Sequence, residues 1–402
     1  MYRESIGVSE GAGRVPNRSL LRLVAAAAAL FSTLAHADGA ALSIQTSGAE
    51  QLVVAPQKTS CKIDLLSDSP LRLMKRTDGS VLGFATHYSN WPLVGSSPAS
   101  LKPECVSTIH GAENPDPAAN DDHYWIQALA TNDGKTIDAL ASHEYMGSRH
   151  PGMCDAKPTR EQPYPCWFSS IIQVRSTDGG KSFFPFVTHR VIATPQVAFT
   201  PHDPKRAGFL TTSNIVRDKE WNYVLIYVDG YGDQKTGTCV FRARADEQAP
   251  NWLAWDGKDY TVSLEAVGKP AGQGKIQVCE PVNLGNLNRG LVKQRKSNIW
   301  IAEGFSRDPS DHSKAGVFYA TSTDLIHWST QKEMASLQID FVSPNCPAAV
   351  YKYPSIIDEN APGLTYDTVG EAAYLYVVRV NINACKPVSR DIVRFPISIG
   401  TH

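Results

Sequence analysis

Short runs of β-branched and aromatic residues, separated by tight-turn signals, recur along this chain with almost no helical periodicity between them. They lie at 81–86, 137–143, 171–175, 223–228, 239–244, 298–302, 317–321, 374–380 and 392–399. Branched and aromatic side chains fit a pleated surface, and runs of this length bounded by Gly, Pro, Asn and Asp read as strands. Asp-Gly pairs keep the same rhythm at 78–79, 133–134, 178–179 and 256–257. An Asp-Gly between two apolar runs is a strong hairpin signal, because both central residues of the turn take positive φ. After residue 37 no long segment places apolar residues at i, i+3, i+4 and i+7, so an all-β fold is expected.

The hairpins group into five units. The first runs from Asp68 to Cys105, with inner strands at 71–75 and 81–86. The second has strands at 124–130, 136–143 and 168–175, and the third at 208–216, 222–228 and 239–244, closing near 252–255. The fourth has 290–294, 299–304 and 317–321, closing at Trp328, and the fifth has 353–358, 374–380 and 392–399. The segment 41–54 is expected to supply the missing outer strand of the fifth unit and so close a ring. Residues 38–402 then form a single five-bladed β-propeller domain; a six-bladed ring and a β-sandwich with insertions are the alternatives. Ring closure leaves few strand edges exposed.

Residues 1–37 read as a secretory signal peptide: Arg14, Arg18 and Arg22 supply positive charge, 23–34 is apolar, and Ala35-His36-Ala37 is an A-x-A cleavage site. The apolar run is too short to span a bilayer. The protein is expected to be secreted or periplasmic, free of the membrane after cleavage, and monomeric. Its eight cysteines, Cys61, Cys105, Cys154, Cys166, Cys239, Cys279, Cys346 and Cys385, all follow the cleavage site. An even count in an exported chain predicts disulfides, with neighbours pairing in order and Cys154–Cys166 foremost. A formal net charge of -1 gives no basic footprint for nucleic acid.

Two segments carry the most specific information. Ser176-Thr177-Asp178-Gly179-Gly180-Lys181-Ser182-Phe183 fits S-x-D-x-G-x-x-aromatic, and Ser322-Thr323-Asp324-Leu325-Ile326-His327-Trp328 is a shorter form. In such turns the Ser and Asp side chains satisfy backbone donors, Gly takes a positive φ and the aromatic packs beneath. The first segment resembles the Asp-box of sialidases and related propellers. The second is similar to a turn that recurs in the five-bladed propellers of arabinanases, fructosidases and related glycoside hydrolases. The resemblance implies the architecture of most of the chain and gives these outer-rim turns no catalytic role. Sialidases carry Arg-Ile-Pro near the first blade, where this chain has Pro70-Leu71-Arg72, and only one full box is present. A six-bladed sialidase-like ring is therefore the runner-up. The five-bladed glycosidases place an Asp at the start of the innermost strand of blade one, a second Asp in blade two and an acid Glu further on. Asp68 stands where the first would be, and the second Asp has no clear counterpart.

A propeller pocket forms where the inner strands of all blades meet the central channel. That criterion selects Asp68, Arg72 and His87, then His143-Glu144-Tyr145, Ser213-Asn214, Asp229, Asn288, Arg289, Glu303, Tyr353, Asp358 and Arg379. Glycoside hydrolysis needs one carboxyl kept protonated and one ionised, flanking the bond. Asp68 with Glu144 or Glu303 is the candidate catalytic set; Arg72, His87, His143, Tyr145, Asn214, Arg289 and Asp358 are the candidate sugar contacts. His143-Glu144-Tyr145 is expected as three adjacent polar groups at the pocket mouth, against the plainer reading that His143 bonds a backbone group. Each carboxylate has the alternative of a turn cap or an ion pair on the rim. An H-E-x-x-H zinc site is excluded, because the next histidine is His150. Most tryptophans are expected to pack between blades, with one or two facing the pocket. No cofactor is expected; a structural calcium in the channel would draw on Asp68 or Asp358. The expected function is a secreted glycoside hydrolase, with a non-catalytic propeller that binds glycan or protein as the main alternative. A polysaccharide lyase using Tyr145 or His143 as base is a third.

Overall fold

The alternation of side chains along each strand is what organises this molecule. The computed structural model describes residues 42–55, 67–85, 87–159, 161–265, 276–308, 310–311, 314–339 and 346–401. The expected signal peptide and Cys61 lie outside them. Among the described residues the only helical elements are two 3-10 turns, Pro117–Ala119 and Gly147–Arg149.

The first strands are β1 (Leu42–Thr46) and β2 (Gln51–Val54). A four-stranded sheet follows, β3 (Arg72–Lys75), β4 (Val81–Phe84), β5 (Leu93–Gly95) and β6 (Lys102–Pro103), in that order. The largest sheet has two halves. One contains β7 (His123–Ala130), β8 (Ile137–Met146) and β9 (Trp167–Ser176), edged by β10 (Phe184–Pro185) and β11 (Val191–Ala193). The other contains β12 (Arg206–Thr212), β13 (Val216–Asp218), β14 (Trp221–Asp229), β15 (Gly237–Arg244), β16 (Leu253–Trp255) and β17 (Tyr260–Val262). A short parallel pairing of Arg206, Ala207 and Gly208 with Trp167, Phe168 and Ser169 joins the halves, where the sequence suggested two separate units.

A third sheet holds β18 (Gly290–Gln294), β19 (Trp300–Arg307), β20 (Ala315–Ser322) and β21 (Lys332–Ala335). The last sheet is β22 (Ala349–Ile357), β24 (Ala372–Asn383) and β25 (Lys386–Thr401); β23 (Thr368–Val369), between β22 and β24 in the chain, pairs instead with β18. Both β1 and β2 pair antiparallel with β25, so the start of the described chain completes the last sheet, as the sequence suggested.

Five apolar seams of the core are each shared by two successive strand groups, and a smaller cluster of Val350, Val378 and Val380 lies within the last sheet. Neighbouring residues on one strand feed different seams, because successive Cβ atoms point to opposite faces. On β9, Ile171 packs toward Phe209 and Val224, while Ile172 packs toward Leu82 and Ile126. On β24, Leu375 joins Ile301 and Val317, while Tyr376 joins Leu71 and Leu73. These strands are buried on both faces, which is why they read as unbroken apolar runs.

Hydrogen bonds follow the same cycle. Asn90 Oδ1 accepts from Ile126 N at 2.9 Å. Gln127 Oε1 accepts from Thr212 N at 2.8 Å, and Asn214 Oδ1 from Leu291 N at 2.8 Å. Glu303 Oε1 accepts from Ile356 N at 3.1 Å, and Ser355 Oγ donates to Leu71 O at 2.9 Å, which returns to the first sheet. A side chain of each strand group thus satisfies a backbone group of the next group's innermost strand, where a ladder partner is missing.

Among the described residues three disulfides, Cys154–Cys166, Cys239–Cys279 and Cys346–Cys385, pair neighbours in order. They fit an oxidising compartment. Among the described residues no helix is long and apolar enough to cross a membrane. In the turn after β9, Ser176 Oγ accepts from Gly180 N at 2.8 Å and Asp178 Oδ1 from Lys181 N at 3.0 Å, above a buried Phe183. In the turn after β20, Asp324 Oδ1 accepts from Ile326 N at 2.9 Å and His327 N at 2.8 Å.

Candidate active site

A cavity of about 370 Å³ opens at the C-terminal end of β8 and is lined by residues in or next to the strands of every sheet, including Asp68, His87, Trp125, Glu144, Arg149, Trp167, Arg206, Arg289 and Tyr353. Asp68 stands just ahead of β3. Tyr353 donates its hydroxyl to Asp68 Oδ1 at 2.8 Å, and Arg390 forms an ion pair with the same oxygen. Tyr353 has a φ of 56° and sits at an irregularity of β22, where the register against β24 shifts between Lys352 and Ser355. A bulge of this kind re-aims a side chain, here toward the cavity.

Glu144 lies on β8, opposite His123 of β7 and Ser169 of β9. Its carboxyl makes no hydrogen bond or ion pair among the described residues. Burial, reinforced by the Asp68 charge and opposed by Arg206 and Arg149, pushes its pKa up to about 8. The cavity therefore holds two carboxyls in opposed environments, one engaged by a guanidinium and a phenol, the other unpartnered and protonated at neutral pH.

Alternation on β8 separates the His143-Glu144-Tyr145 run. Glu144 and Met146 line the cavity; His143 and Tyr145 point to the other face. His143 Nε2 accepts from Asp122 N at 3.1 Å, and its Nδ1 meets Ser170 Oγ at 2.9 Å, whose hydrogen goes on to Asn120 Oδ1. Those partners require a neutral ring with the proton on Nδ1, and burial pushes its pKa down to about 3. Tyr145 donates to Pro115 O at 2.9 Å and stacks on His150.

The other sequence candidates divide in the same way. His87 and Arg289 line the cavity, and His87 packs on Trp125 with ring centres 4.8 Å apart. Arg72 does not line it. Its guanidinium is buried and donates to Gln127 O at 2.8 Å, Ser355 Oγ at 3.1 Å, Thr212 O at 3.4 Å and Arg289 O, tying β3 to the other strand groups. Burial lowers its pKa to about 10. Glu303 is fully buried outside the cavity, its Oε1 so close above Gly290 that any Cβ there would lie 1.7 Å away. Its second oxygen has no partner, and burial raises its pKa to about 7. Asn214 is spent on Leu291. Asp358 caps Asn360 N and Gly370 N at 2.8 and 2.9 Å and pairs with Arg295, leaving no oxygen facing the channel. Among the described residues no group of three or more His, Cys, Asp or Glu is placed to hold a metal.

Sequence reasoning missed His123, Arg149 and Arg206. His123 was recoverable, since it faces Glu144 across the hairpin that Asp133-Gly134 closes. Its Nδ1 lies 2.6 Å from the buried Asp122, which also contacts His150. Arg149 and Tyr164 come from the β8–β9 loop that Cys154–Cys166 staples, and nothing local marked them. Trp125 and Trp167 face the cavity, both with buried indole N–H groups that lack partners. A larger cavity of about 550 Å³ opens at the opposite end of β8, and in its wall Arg175 pairs with Asp138 at 2.5 Å.

No family model matches this chain, and no curated protein matches it in sequence. Among solved structures it is similar to the catalytic domain of the Coprinopsis cinerea GH62 alpha-L-arabinofuranosidase, with 9% identity, covering 88% of this chain and 96% of that one at a TM-score of 0.44. It is similar to the endo-arabinase from Bacteroides thetaiotaomicron, with 11% identity over 86% and 97% of the two chains and a TM-score of 0.43. The N-acetylgalactosamine deacetylase from F. plautii gives 12% identity over 89% and 95%, with a TM-score of 0.43.

Proposed function

We propose that this chain is an exported glycoside hydrolase built on a single five-bladed β-propeller, each strand group being one blade, and that Asp68 and Glu144 carry the chemistry. The observation that supports this most is the pairing of two differently poised carboxyls in one cavity floored by Trp125 and Trp167. Glu144, protonated below about pH 8, gives its proton to the departing glycosidic oxygen. Asp68, held by Tyr353 and Arg390, serves the anomeric carbon as base or nucleophile. The indole faces suit the C–H faces of a sugar ring.

Glycan binding without turnover is the second reading. It is favoured by the engagement of Asp68 with Arg390, which leaves that carboxylate less available as a base. A hydrolysis screen on arabinan, fructan, xylan and acidic glycans, run with wild type beside Asp68→Asn and Glu144→Gln, separates the two. Turnover that vanishes in a folded variant supports the hydrolase; saturable binding with no turnover on any substrate leaves the binding propeller.

A further inference from the structure

We infer that the cavity receives a sugar carrying a negatively charged group, carboxylate or sulfate, and that Arg289 is the residue that meets it. This rests on the carbohydrate reading above, and it holds whether or not the site turns its ligand over.

The argument is a charge count around the cavity. Arg390 is matched by Asp68, and Arg206 by Asp229 at 2.5 Å. Arg149 Nη1 faces His123 Nε2 at 3.3 Å, and that nitrogen accepts only while the ring is neutral, so it brings no countercharge. Arg289 has no side-chain hydrogen bond or ion pair among the described residues. Its main chain, by contrast, is pinned on both sides. Its N–H donates to Glu303 O at 2.9 Å, and its carbonyl accepts from the Arg72 guanidinium. The guanidinium is thus held at the cavity wall by a rigid backbone and left unpaired.

A guanidinium does not shed its proton in a protein, and a charge removed from bulk water needs a partner. Burial above all disfavours the Arg289 charge, Tyr353 and Tyr227 offset this in part, and the nearby Arg206 adds to it. Glu144, the second carboxyl lining the cavity, does not balance it, since Glu144 stays protonated at neutral pH. The Asp122 carboxylate, 2.6 Å from His123 Nδ1, stands behind Arg149, so the excess positive charge of the cavity rests on Arg289. The planar fork of Arg289 matches two oxygens of a carboxylate or sulfate, which a neutral hydroxyl cannot replace in charge.

The test is calorimetric binding to the full folded chain carrying Glu144→Gln. The ligands are hexuronate oligosaccharides with their methyl esters, and sulfated galactan oligosaccharides with their desulfated forms. The expected result is that one charged series binds at least about ten-fold more tightly than its neutral counterpart, by a margin that shrinks as salt rises. Whichever series shows the margin identifies carboxylate or sulfate. Arg289→Gln should bring the ratio close to one and Arg289→Lys should keep part of it, with melting curves showing that both fold. Equal binding of charged and neutral forms, no binding of either charged series, or a preference that survives Arg289→Gln would overturn the inference. Selective binding of an acidic glycan that wild type never cleaves would keep the inference and remove the hydrolase reading.

Discussion

The hydroxyl of Tyr353 donates to Asp68 Oδ1 at 2.8 Å across a sequence separation of 285 residues. The phenol steadies the carboxylate from the last sheet while Asp68 itself precedes the first strand of the first. Tyr353→Phe keeps the ring and removes the donor. Turnover on the best substrate of the screen should fall by about ten-fold or more, with stability changed by no more than about 1 kcal/mol. Steady-state kinetics beside urea unfolding reads both.

Glu144 and Glu303 make stability depend on pH in an unusual direction. In the unfolded chain such carboxyls ionise near 4.5, whereas in the fold they do so near 8 and 7. Between those values the folded state holds more protons, so stability is full below about 4.5, falls as pH rises, and levels off above about 8. As upper bounds the loss is about 5 kcal/mol for Glu144 and about 3 kcal/mol for Glu303. Glu144→Gln should therefore raise the melting temperature at pH 8, flatten the pH profile and abolish turnover. A wild-type melting temperature that climbs from pH 5 to pH 8 would contradict this.

Arg72→Lys should be nearly as damaging as Arg72→Met. A single ammonium cannot serve acceptors on Gln127, Thr212, Arg289 and Ser355 at once, and both changes strand buried carbonyls. Denaturant titration should show a loss of about 3 kcal/mol or more for each variant. Rescue by lysine would show that charge alone matters at this position.

His143 serves the fold. His143→Gln should cost about 1–3 kcal/mol through the Asp122 and Ser170 contacts and leave the shape of the rate–pH profile unchanged. His123→Gln, on the cavity face, should lower turnover or ligand affinity with little effect on stability. The exchange of these two outcomes would move the functional histidine to the other face of the hairpin.

Replacing Cys154 and Cys166 together by Ser releases the loop that carries Arg149 and Tyr164. The bridge spans a separation of 12 residues, and loop entropy suggests a stability loss of about 3 kcal/mol. Ligand affinity should fall as well, because both lining residues would have to be ordered on binding. Isothermal titration of the double variant beside wild type checks this.

The all-β class, most strand positions and the in-order pairing of the three described disulfides were legible, because apolar alternation and Asp-Gly turns are local signals. The cavity was legible in part. Asp68, Glu144, His87 and Arg289 come together in it, whereas Arg72, His143, Tyr145, Asn214, Glu303 and Asp358 are occupied by backbone or turn partners. Polarity at the end of an apolar strand identifies a buried polar group and does not say which face it takes. Applying the two-residue period to β8 would have set His143 and Tyr145 apart from Glu144. The roles of Arg149 and Arg206 depend on a long loop and a parallel strand contact, which leave no local mark on the sequence.

The antiparallel match of β1 with β25 places Leu42 opposite Thr401, so the first and last described strands are neighbours in space. A covalent break could then be moved: joining the two ends by a short linker and opening the chain at the exposed Asp256-Gly257 turn would leave every seam formed by the same residues. In the native order, the first described strand must wait for the last before it can pair. Assembly of this architecture is therefore governed by a contact across nearly the whole polypeptide, a topology that slows folding and keeps the chain open until its final strand is available.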